Sequence, residues 1–227
     1  MSWVLVSFIA AQLIVILGWG VIGSIAPGFA DASSAVAQFI LSALIYLLTL
    51  LIVIGGSVLI KQRVNKVELG VDKPVTWLDL GLAPAAFAGY LVVSSVTILV
   101  VSQLLPGFDL QQSQQVGFDN ITGQIDLIMA FLALVVLAPI AEEVLFRGYL
   151  YGKLRGLVGA LVASLLASVL FGAVHMQWNV AIDTFILSMA MCGLRELTGT
   201  IWAGTILHMI KNGLAFFLLF IYPSIGF

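Results

Sequence analysis

Long uninterrupted apolar stretches recur from one end of this chain to the other, and they constrain its fold more than any other feature. A helix needs about 20 apolar residues to cross the hydrocarbon core of a bilayer. Backbone groups in lipid must find partners within the chain, which leaves helices or a closed barrel, and these runs lack the alternation of barrel strands. The expected fold is therefore all-α, a polytopic transmembrane helix bundle of about seven helices. The spans read as Trp3 to Ala26, Val36 to Ile60, Leu82 to Leu105, Ile125 to Arg147, Leu157 to His175, Val180 to Leu194 and Ile201 to Ile221. The first has no basic residue before it and is too long for a signal-peptide core. One integral membrane domain is expected overall, with 1–124 holding N-terminal helices and loops and 125–227 holding most of the intramembrane charge.

Loop charge sets the expected orientation. The link at Pro27, Gly28 and Asp31 has no Lys or Arg, and neither does the one holding Asp109, Gln111, Gln112, Gln114, Gln115 and Asp119. Lys61, Arg63, Lys66 and Lys73 fill the link between them, and Arg147, Lys153, Arg155 and Arg195 fall on that same side. By the positive-inside rule this is the cytoplasmic side, and the N-terminus shares it. The expected location is the cell membrane, with the bilayer as a partner. Trp77 and Asp79 read as a short surface helix ahead of the third span. No basic run points to nucleic acid, and the single cysteine, Cys192, rules out an internal disulfide.

In a chain that is 62% hydrophobic and 9% charged, intramembrane ionisable groups are the candidates for chemistry. Glu142, Glu143 and Arg147 follow Pro139, which removes one helical hydrogen bond and bends the helix. Glu143 and Arg147 are four residues apart with the acid first, the favoured order for a helical ion pair. Glu142 points about 100° away, so one carboxylate is held while the other can act. Phe171 shares a face with His175, and His208 with Asn212, at the same spacing. Any one histidine here would ordinarily be a helix-to-helix hydrogen bond. Together the groups supply a base for water, a residue to orient it and donors for an oxyanion, which peptide hydrolysis requires.

These three blocks, Glu142-Glu143-Val144-Leu145-Phe146-Arg147, Phe171-Gly172-Ala173-Val174-His175 and His208-Met209-Ile210-Lys211-Asn212, resemble the E-E-x-x-x-R, F-x-x-x-H and H-x-x-x-N motifs of the CAAX protease and bacteriocin-processing (CPBP, or Abi) family, and they stand in the same order. The resemblance covers roughly 125 to 221 and makes 125–227 a protease core. It implies an intramembrane endopeptidase of the type II CAAX prenyl protease kind, acting on membrane-associated proteins or peptides, CAAX-type or bacteriocin-like. It implies Glu142 as general base, His175 as the group that helps hold the water, and His208 with Asn212 as oxyanion stabilisers. Glu143 and Arg147 would support the site.

Metal involvement stays open at this point. Glu142, His175 and His208 are ligand types of a catalytic zinc site with an open position for water. Asn212, a poor zinc ligand and a good amide donor, favours the metal-free glutamate mechanism. Two other classes compete: a noncatalytic immunity or scaffold protein, and a proton-coupled transporter. No motif position is substituted, which argues against the first, and no internal repeat supports the second. A hairpin turning near Lys153 would leave His175 many ångströms deeper than Glu142. Lys211 expects Glu143, Asp183 or the interface as its partner.

Overall fold

The computed structural model describes residues 2–25, 34–59, 64–105, 108 and 116–225. Ala26, Pro27, Gly28, Asp31, Ile60, Lys61, Arg63, Asp109, Gln111, Gln112, Gln114 and Gln115, named above, lie outside them. All regular structure among the described residues is helical. Eight helices follow in order: α1 (Ser2–Ile25), α2 (Ala35–Leu59), α3 (Lys66–Leu69), α4 (Trp77–Leu104), α5 (Gln124–Val158), α6 (Ala160–Ala173), α7 (Trp178–Thr198) and α8 (Trp202–Ile221). Among the described residues α1, α2, α4, α5 and α8 are long and apolar enough to cross a membrane. The chain is an integral membrane protein. Ile9, Leu13 and Leu17 on α1 and Val92, Val96 and Leu99 on α4 are exposed, as lipid-facing side chains are.

Three sequence expectations need adjustment. Trp77 and Asp79 form no separate surface helix; they are the first turn of α4, where Thr76 and Asp79 close a capping box. The fourth span runs on past Arg147 to Val158. The fifth expected span is α6, only 14 residues long and short of a full crossing.

The described residues divide into two compact units. The first comprises Met1–Val64, Val116–Glu142 and Asn212–Phe227. Here α1 packs on α2, and α2 on the start of α5. Its core gathers Ala35, Phe118, Ala130, Ala133, Val135 and Phe216, with Phe131 edge-on to Phe216 at 5.5 Å. The Gln38 side chain accepts from the Phe118 amide at 2.6 Å and ties the segment before α5 to α2.

The second unit comprises Asn65–Gln115 and Glu143–Lys211. Gly159, at φ +80°, breaks α5 from α6 in a conformation that L side chains rarely adopt, and the chain turns there. Arg147 and Phe171 therefore stand twelve residues to either side of the turn. They meet, with the Arg147 guanidinium 4.3 Å from the Phe171 ring centroid. The turn expected near Lys153 comes six residues later, at Gly159.

Two close approaches hold this unit together. A Cβ on Gly172 would lie 2.6 Å from the Ala181 carbonyl oxygen, so α6 and α7 pack backbone to backbone. A Cβ on Gly148 would lie 2.9 Å from the Leu69 carbonyl oxygen, and one on Gly152 3.0 Å from that of Glu68, so α3 rests on a glycine strip of α5. Charges close this end. Lys153 pairs with Glu68 at 3.3 Å, Arg155 with Glu196 at 3.1 Å, and Arg195 donates to the Glu68 carbonyl at 2.8 Å. The Arg155 hydrogen bond holds the Glu196 carboxyl below its ordinary value.

Candidate functional site

In the second unit three motif elements converge on one ring. Phe171 is fully buried on α6. The Arg147 guanidinium lies over its face, and Phe146, His175 and His208 stand edge-on with centroids at 4.9, 5.3 and 5.8 Å. A cation over an aromatic face is attracted by the ring quadrupole, more strongly when desolvated. The phenylalanine of the second motif thus organises the residues that carry polarity around it.

Glu143 and Arg147 are both 0% exposed and pair at 2.7 Å, from Arg147 Nη1 to Glu143 Oε1. The same Oε1 lies 3.4 Å from His208 Nδ1. An ionised carboxylate only accepts, so His208 donates through Nδ1–H. Glu143 Oε2 and Arg147 Nε and Nη2 are buried with no hydrogen-bond partner among the described residues. The Phe171 ring supplies part of what that desolvation removes. The approach of α8 is close, since a Cβ on Gly204 would sit 3.1 Å from Glu143 Oε2.

His175 lies two residues past the end of α6, before Met176, which has φ 58°. Its Nδ1 is 2.8 Å from the Phe171 carbonyl oxygen, which can only accept, so Nδ1 carries a proton. Both histidines consequently have Nδ1–H committed to a protein acceptor. In the neutral ring the lone pair is then at Nε2, the arrangement found when a second group fixes an imidazole for water or metal. For His208 to donate from Nε2 as well, the ring must be imidazolium.

A further polar cluster in this unit centres on Asp183 of α7. Tyr90 and Ser94 of α4 donate to its Oδ1 at 2.6 and 2.5 Å, and Lys211 Nζ lies 3.8 Å from Oδ2. Of the three partners expected for Lys211, Asp183 is the one observed. Tyr90 and Ser94 carried no sequence signal, since a hydroxyl in an apolar helix is ordinary. An apolar cavity of about 540 Å³ adjoins these helices, lined by Val93, Gly172, Trp178, Ala181 and Phe185 among others.

The first unit holds Glu142 and Asn212. The Tyr46 hydroxyl on α2 donates to Glu142 Oε1 at 2.6 Å. Asn212 Nδ2 donates to the Leu134 carbonyl oxygen at 2.9 Å. That bond has a local cause. Residues Leu132–Leu137 form a π-helical stretch in which the Ala138 amide bonds back five residues to Ala133. The next carbonyl, Leu134, would await the amide of residue 139 in this register, and residue 139 is proline. Asn212 supplies the missing donor from α8. A primary amide has two N–H groups, so one remains for other use.

Glu143, Arg147, Phe171, His175 and His208 are thus brought together, while Glu142 and Asn212 have the partners just described within the first unit. Among the described residues no three His, Cys, Asp or Glu side chains gather as a metal ligand set. No curated protein and no solved structure matches the chain. Residues 124–214, the stretch that carries the three motifs, match the family model of Rce1-like type II CAAX prenyl endopeptidases.

Proposed function

We propose that this protein is an intramembrane endopeptidase that hydrolyses peptide bonds of membrane-associated proteins or peptides with glutamate-activated water. In this reading the Glu142 carboxylate takes a proton from water as its oxygen attacks the scissile carbonyl, and returns it to the departing amine. His175, fixed by the Phe171 carbonyl, orients the water through Nε2. His208, as imidazolium held on Glu143, and the second N–H of Asn212 donate to the developing oxyanion. Glu143, Arg147 and Phe171 hold His208 and His175 in place. CAAX-type and bacteriocin-like substrates both suit the reading, as does a cell-membrane location with a cytoplasmic N-terminus.

The observation that carries it is that histidines from two motifs meet around the Phe171 ring with Nδ1 held on the protein, His175 at 2.8 Å from the Phe171 carbonyl oxygen and His208 at 3.4 Å from Glu143. The test is cleavage of a membrane-peptide library by purified protein, with and without chelator. Cleavage that survives exhaustive chelation and drops ~10²- to 10⁴-fold in Glu142→Gln is expected. About one zinc per chain, lost together with activity, would overturn the metal-free mechanism.

A further inference from the structure

We propose that Tyr46 is a positioning residue for Glu142, delivered by a helix outside the stretch that carries the three motifs. The inference rests on Glu142 being the general base. Tyr46 sits mid-way along α2, eleven residues from Ala35 and thirteen from Leu59, and Glu142 lies eighteen residues into the 35-residue α5. A phenol and a carboxylate from the middles of two long apolar helices meet at 2.6 Å, the short range of charge-assisted bonds. Neither side chain reaches water by snorkelling from there, because about 16 Å of helix separates Tyr46 from its nearer end and about 24 Å separates Glu142 from its own.

The bond has a clear geometric consequence. A glutamate side chain has three rotatable bonds, and an unheld carboxylate samples several orientations. Donation from Tyr46 to Oε1 fixes the plane of the carboxylate and hence the direction from which water is deprotonated. General-base catalysis is steep in that geometry, since misplacement by about 1 Å costs on the order of 10²-fold. Tyr46 has few rotamers of its own and is backed by α2, so it transmits the position of a rigid helix to the base. Glu143 needs no such holder, because Arg147 on its own helix provides one. The two neighbouring glutamates are thereby assigned different anchors: Glu143 from within α5 and Glu142 from α2.

The experiment measures kcat and KM of the full-length protein for one cleaved membrane peptide, per folded molecule, in five forms: wild type, Tyr46→Phe, Glu142→Asp, Glu142→Gln and the Tyr46→Phe/Glu142→Asp double variant. Tyr46→Phe is expected to lower kcat about 10- to 100-fold with KM unchanged. Glu142→Asp retracts the carboxylate from the hydroxyl by one methylene, so Tyr46→Phe is expected to cost that background far less. A tyrosine that serves only packing would cost both backgrounds alike, and that result overturns the proposal. So does a raised KM at unchanged kcat, which would place Tyr46 against substrate instead. Full kcat in Tyr46→Phe alongside an inactive Glu142→Gln overturns the role of Tyr46 and leaves the base intact. Full activity in Glu142→Gln removes the base, and the positioning role with it.

Discussion

At the scale of the residue, Glu143 and Glu142 illustrate how adjacent identical side chains acquire different work. Glu143 shares no solvent, and one of its oxygens accepts from both Arg147 and His208. Removing its charge leaves the Arg147 guanidinium buried without a counter-ion, and breaking a buried pair in this way costs about 3–5 kcal/mol. Glu143→Gln is therefore expected to lower the Tm and yield of the purified protein, while Glu142→Gln is expected to leave both nearly unchanged. Thermal unfolding of the two variants side by side checks this. A stable Glu143→Gln with wild-type Tm would show that the Phe171 ring alone carries the arginine. The pairing of Glu143 with Arg147 was legible from their four-residue spacing. The place of Phe171 was not, because an aromatic in an apolar helix gives no sign of what it faces.

At the scale of the element, α5 was read too short. Lys153 and Arg155 look like loop charges when only their own neighbourhood is considered, and an apolar run appears to end at Arg147. Their partners, Glu68 and Glu196, lie 85 and 41 residues away, so nothing local signals that the helix continues. The turn at Gly159 then follows, and with it the meeting of Arg147 and Phe171 that a turn near Lys153 could not provide. Pro139 was legible as a helix disturbance, but the carbonyl it orphans was not traceable to Asn212 without the fold. Asn212→Ala is expected to lose about 1–3 kcal/mol by leaving the Leu134 carbonyl unpaired in an apolar helix. Pro139→Ala restores an amide that can serve that carbonyl, so the same Asn212→Ala change is expected to cost less in that background. A double-mutant cycle on thermal stability measures the difference. Equal costs would mean that Asn212 stabilises the protein by some other contact.

At the scale of the whole molecule, orientation in the bilayer follows from charges that the fold draws to one place. The positive-inside rule is weak when applied to one loop and stronger when separate basic segments must share a side. Here they must: Lys153 of α5 pairs with Glu68 of the second link, and Arg195 at the end of α7 donates to the Glu68 carbonyl. Lys66, Lys73, Lys153, Arg155 and Arg195 thus belong to one end of the second unit, whereas the link containing Asp119 has no Lys or Arg. Cysteine labelling reads the consequence directly, because the native Cys192 is buried and gives little background. Lys66→Cys and Asp119→Cys both place a thiol at an exposed position. A membrane-impermeant maleimide applied to intact cells is expected to label Asp119→Cys, and to label Lys66→Cys only after permeabilisation. The N-terminus lies one membrane crossing before the first link and two before Lys66, so the same result puts it in the cytoplasm. Labelling of Lys66→Cys from outside would invert the topology, and with it the side from which any membrane-associated substrate approaches.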